Sequence, residues 1–186
     1  MNTPGRGWWQ RLRHGRGFGV HSPFAYRFIR EVLRERCAFY AYEAVDAEAH
    51  AWPGGSRGAR LLLRVAAWAQ PASVAVAGTG SEACAARRIV ALACPAASIR
   101  GLTDHTGACD MVVLCRDAAP GEAEAAARAC ADGALLFVPS RHDTVAAGLL
   151  ATLRALPYGH TFLNGSGTAI YVGRRTLPSE VFNVRF

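Results

Sequence analysis

Apolar residues recur at helical spacing through the first seventy positions and then, after Pro71, gather into short runs separated by Ala-rich stretches. Ser22 is a good N-cap and Pro23 suits the first helical position, where its missing N–H is not needed, so a helix is predicted to start there. Phe24, Phe28, Val32, Leu33 and Cys37 fall on its apolar side, with Arg27, Arg30, Glu31, Arg34 and Glu35 opposite. Residues 41–58 are Ala, Glu, Gly and Pro with little periodicity and read as a connection. A second helix is predicted over 59–70, with Leu61, Leu62, Val65 and Trp68 on its apolar side; Pro71 ends it by pushing the residue before it out of the helical region.

Beyond Pro71 the pattern predicts strands at 73–77, 98–102, 110–115 and 134–138, and helices at 81–94 and 121–131. Val145, Leu149, Leu153 and Leu156 mark a further helix stopped by Pro157. Residues 160–164 and 168–174 form a hairpin around Gly165-Ser166-Gly167, and 181–186 supply an edge segment. Strands alternating with helices imply an α/β fold: a Rossmann-like, doubly wound, mostly parallel sheet with a C-terminal antiparallel hairpin. The first seventy residues would be its N-terminal helical cap, too short for a core of their own.

A chain of 186 residues with 51% hydrophobic content fits one domain, 1–186, divided into cap (1–70) and core (71–186). No apolar run is long enough for a membrane span, and no continuous apolar stretch follows the basic start as a secretory signal requires, so a cytoplasmic location is expected. The formal net charge is +7, yet all 21 basic residues are Arg, which points first to a GC-rich coding bias. Distribution carries more: Arg6, Arg11, Arg13, Arg16, Arg27, Arg30, Arg34 and Arg36 precede Cys37. With Trp8, Trp9 and Phe18 interleaved, this segment suits stacking and phosphate contact with an anionic partner such as single-stranded RNA or DNA; the plainer alternative is a solvated face. Cys37, Cys84, Cys94, Cys109, Cys115 and Cys130 show no metal-ligand spacing and are expected to be buried reduced thiols.

In a doubly wound sheet, ligands bind beyond the carboxyl ends of the strands, where Gly78-Thr79-Gly80 joins a strand to a helix. Glycine permits a sharp turn and close approach, and free amides at the helix start favour an anion. Any α/β sheet needs such a turn, so alone it identifies nothing.

The order of elements resembles the class I S-adenosylmethionine-dependent methyltransferase fold. HGRGFGVHSPFAYRFI (14–29) and GTAIYVGRRTLPSEVFNVRF (167–186) resemble the opening and close of a bacterial branch of it that begins HGxHSPF. The resemblance implies S-adenosylmethionine as cofactor, contacted by Gly78, Thr79, Gly80 and Ser81. Asp104 is the candidate for the ribose hydroxyls if its strand ends late; an Asp in a turn otherwise caps local backbone.

Three departures from the family pattern stand out. Against ExGxGxG, Val76 replaces the acid and Glu82 the third glycine, so a carboxylate faces the cofactor's own unless it turns outward to cap the helix. Residues 103–109 replace the usual helix, strand and helix, shortening the sheet between its second and fourth strands. That link must be nearly extended, and the adenine wall is missing unless another segment or a second subunit, in a homo-oligomer, replaces it. In the related metal-dependent O-methyltransferase pattern, DMVVLCRD keeps Asp110 and Asp117 but has Cys115 for the second acid and Pro139 for a later one, so no catalytic metal is expected. His105 and His142 sit beside Asp104 and Asp143 as loop residues, and His21 belongs to the opening stretch in a packing or substrate-facing role. Two readings stay open: a methyltransferase of weakened or lost activity with an unknown substrate, and a non-catalytic scaffold for a partner or nucleic acid.

Overall fold

The computed structural model describes residues 22–104 and 108–186. Its α-helices are α1 Pro23–Phe28, α2 Tyr42–Glu48, α3 Gly55–Ala69, α4 Ser81–Ala93, α5 Pro120–Ala131 and α6 Thr144–Arg154. Its strands are β1 Ser73–Ala77, β2 Ser98–Gly101, β3 Met111–Leu114, β4 Leu135–Val138, β5 His160–Asn164, β6 Ala169–Val172 and β7 Glu180–Val184. They form one sheet in the order β2-β1-β3-β4-β6-β5-β7. β6 runs antiparallel to β4 and β5, and every other pairing is parallel. The doubly wound architecture and its terminal hairpin are thus those the sequence pattern predicts, with β7 as the edge.

Period-two alternation sorts the strand side chains onto two faces. Val74, Val76, Met111, Val113, Leu135, Phe137, Phe162 and Ile170 pack with α1 to α4. Ala75, Ala77, Val112, Leu114, Leu136, Val138 and Tyr171 pack with α5 and α6. β2 and β3 pair with β1 from opposite sides, so the link between them crosses β1, about 10 Å sideways. Leu102 and Cys109, at its two ends, are buried in the α5 and α6 cluster. Ala75 and Ala77 lie on the same face.

The cap departs from expectation twice. After α1 the chain makes one π turn, Ile29–Leu33, and leaves the helix at Arg34, so Cys37 is exposed and not on an apolar helix side. One tertiary and one local contact end it: Arg64 of α3 donates Nε to the Val32 carbonyl at 2.8 Å, and Glu35 accepts the Arg36 and Cys37 amides that follow it, both at 2.7 Å. Residues 41–58, predicted as a connection, contain α2 and a 3-10 turn, Ala49–Ala51. Ala41, Val45, Ala49 and Trp52 form its buried side, and alanines on both sides of the helix blur that periodicity in the sequence. Cys84 is a further correction, exposed on α4, whereas Cys94, Cys109, Cys115 and Cys130 are buried free thiols as expected.

The cap is tied to the sheet through His160, which is fully buried. Its Nδ1 lies 3.0 Å from the Pro178 carbonyl and must carry the proton, so Nε2 accepts from the Ser22 hydroxyl at 2.8 Å. Ser22 Oγ in turn accepts the Ala25 amide at the start of α1. Burial holds the imidazole pKa below its ordinary value despite the opposing pull of Glu180, keeping the ring neutral.

Candidate functional site

The chain leaves β1 at Gly78 with φ +93°, and α4 begins at Ser81. β1 lies between β2 and β3, where the winding of the sheet reverses, the place at which a doubly wound sheet sets a ligand crevice. Each of the three amides of the Gly78-Thr79-Gly80 turn meets a carboxylate of the protein itself. Asp117 Oδ2 accepts Thr79 at 3.0 Å and Gly80 at 2.7 Å, and Glu122 Oε1 accepts Gly78 at 3.0 Å. The fit is close enough to demand glycine: a Cβ on Gly78 would lie 2.3 Å from Asp117 Oδ1, and one on Gly80 2.9 Å from Oδ2.

Sequence position explains the clasp. Asp117 follows β3 by three residues, at the carboxyl edge beside β1, and Glu122 lies in the first turn of α5, where Oε2 also accepts the Ala119 amide at 2.8 Å. Burial raises the Asp117 pKa, but hydrogen bonds from Thr79 and Gly80, helped by the Arg116 charge, outweigh it and hold the carboxyl below its ordinary value. Asp117 is therefore ionised at neutral pH.

Glu82, in the third-glycine position, neither faces the turn nor caps the helix. It is buried and turns to Arg116, accepting its Nε at 2.7 Å and its backbone amide at 3.2 Å. Burial raises the Glu82 pKa, with Arg116 opposing. Cys115, between these acids, is buried, and desolvation followed by the charges of Glu82 and Asp117 pushes its thiol far up, leaving a neutral group with no nucleophilic character.

The remaining expected residues separate. Ser81 is the exposed first residue of α4, beside the clasped amides. Asp104 lies at the carboxyl end of β2, exposed, with its amide bonded to the Gly101 carbonyl at 3.1 Å and its carboxylate folded back over Gly101. That carboxylate accepts the Thr103 hydroxyl at 3.5 Å. Asp110 accepts the Ala72 and Ser73 amides, both at 2.9 Å, at the opposite end of β3 from Asp117, so the two acids do not share a ligand. Among the described residues no cluster of three or more His, Cys, Asp or Glu is disposed to hold a metal ion. Asp143 caps α6 through the Val145 amide at 2.7 Å, while His142 packs over Gly167. His21, His105, Trp8, Trp9, Phe18 and the arginines before residue 21 lie outside the described residues; Arg27, Arg30, Arg34 and Arg36 are exposed.

A cavity of about 550 Å³ lies farther along the same carboxyl edge. Pro139 and Ser140 after β4, Asn164 and the hairpin after β5, and Val184 to Phe186 at the end of β7 form its floor. The start of α3 forms the facing wall. Sequence reading missed it, because its walls come from four segments 16 or more positions apart and its one local signal, arginine without an acid nearby, is diluted in an Arg-rich chain.

No protein-family model, curated protein or solved structure matches the chain. Among the described residues no helix is long and apolar enough to cross a membrane.

Proposed function

We propose that this chain is a methyltransferase-like protein that no longer transfers methyl groups and uses its sheet as a binding scaffold. The observation that carries this reading is the clasp: all three amides of the Gly78-Thr79-Gly80 turn are bonded to Asp117 and Glu122. S-adenosylmethionine brings a carboxylate of its own, which would have to displace an ionised Asp117 and sit beside Glu122. Like charges so placed oppose binding. The residues present therefore do not fit the cofactor in this crevice, and among the described residues the β2 to β3 link supplies no helix or extra strand against which an adenine ring could stack.

Calorimetric titration of the full chain with S-adenosylmethionine and with its demethylated product tests the reading. No heat is expected at millimolar ligand for the native chain. Asp117→Ala, which empties the clasp, is expected to bind the product weakly if the turn keeps its ancestral shape. Micromolar binding by the native chain would overturn the proposal.

A further inference from the structure

The cavity beyond β4, β5 and β7 differs from the turn in charge, and this difference identifies a ligand class. The charged side chains that line it are Arg57, Arg64 and Arg185, with no Asp or Glu among them. Arg64 is committed to the cap: besides the Val32 carbonyl it reaches the Tyr42 hydroxyl at 3.1 Å. Arg57, in the first turn of α3, and Arg185, just past β7, are exposed. The ion pairs among the described residues join Arg60 to Asp46, Arg88 to Glu48 and Arg116 to Glu82, while the neutral His160 ring lies 3.9 Å from the Glu180 carboxylate. Asp46 and Glu48 of the neighbouring α2 are thus engaged elsewhere, and no ion pair among the described residues joins Arg57 or Arg185 to a carboxylate.

The interior is mixed. Leu61, Val184 and Phe186 present buried apolar surface. Asn164 is fixed by donating to the Phe186 backbone oxygen at 2.6 Å, and Thr168 by donating to the Pro139 carbonyl at 3.4 Å. A volume near 550 Å³ with apolar walls and a few convergent polar groups has the size and make-up of small-molecule sites. Guanidinium forks match carboxylate and phosphate oxygens in bidentate geometry.

We infer that this cavity binds a small amphipathic organic anion, its apolar body against Leu61, Val184 and Phe186 and its carboxylate or phosphate between Arg57 and Arg185. The inference is independent of the turn at Gly78 and holds whether or not that turn takes a cofactor.

The test compares 1-naphthyl phosphate, 1-naphthoate and neutral 1-naphthol by titration of the full chain, with amide chemical shifts locating each. At least one anion is expected to bind about tenfold or more tighter than the naphthol, with shifts at Ser140 and over 164–168. The stronger anion tells phosphate from carboxylate. The double variant Arg57→Gln/Arg185→Gln is expected to abolish the anion preference while leaving naphthol binding and the thermal midpoint unchanged. The single variants, each losing part of the preference, repeat the measurement should the double variant fold poorly. Equal affinity for anions and naphthol, no binding of any of them, shifts centred on 78–82, or a preference that survives both substitutions would overturn the inference.

Discussion

The two hollows on the carboxyl edge of this sheet are built from opposite materials. At the switch point between β1 and β3, backbone amides are closed off by carboxylates that arrive from the β3 to α5 segment. Beyond β4, β5 and β7, arginines without acidic partners face a cavity of about 550 Å³. An anion-accepting backbone is therefore not by itself an anion site. What decides is whether the chain supplies its own anion, and one aspartate three residues past a strand is enough to change the outcome.

The largest effect expected from disturbing this contrast comes from Gly78→Ala. The backbone there has φ +93° and a Cβ would collide with Asp117 Oδ1 at 2.3 Å. Strain and the clash together should cost about 2–3 kcal/mol in urea unfolding. A loss under about 0.5 kcal/mol would show that the clasp is loose. Next comes Asp117→Asn, which keeps the shape and removes the charge. By analogy with helix capping, discounted for exposure, the cost should be about 1 kcal/mol or less at pH 7. Because the folded carboxyl is held below its ordinary value of 3.8, its contribution is present above that value and lost as pH falls through the folded one. Native and variant stabilities should run parallel down to about pH 4 and converge below it. A gap that widens in acid would contradict the assignment. The smallest effect belongs to the cavity: Arg57→Gln and Arg185→Gln should each move stability by no more than about 0.5 kcal/mol, since both side chains are exposed and unpaired. A larger loss would give these arginines a structural role and weaken the case for a ligand.

How much of this was legible depended on distance along the chain. β1 was read over its full observed range because SVAVA is a short apolar run closed by a glycine; α3 was read only from Ala59, where Leu61, Leu62 and Val65 repeat before Pro71, and its first turn, from Gly55, was assigned to the connection. α2 was missed because alanines lie on both its buried and its outward sides and blur the period around Val45. Helix α1 was carried too far because Arg64, from a separate helix, satisfies the carbonyls that end it. At the turn, the glycines and the odd Glu82 were visible in the sequence, but the partner of each was not. Glu82 pairs with Arg116, 34 positions away, and Thr79 with Asp117, 38 away.

Alone, the order of residues determined the layers: period-two and helical repeats are local, and burial of one face per element leaves a doubly wound sheet as their common solution. Tertiary structure alone decided which polar groups meet. Hydrogen bonds and charges act over a few ångströms in space, with no regard for separation along the chain, so only folding could close one hollow with carboxylates and leave the other to arginine.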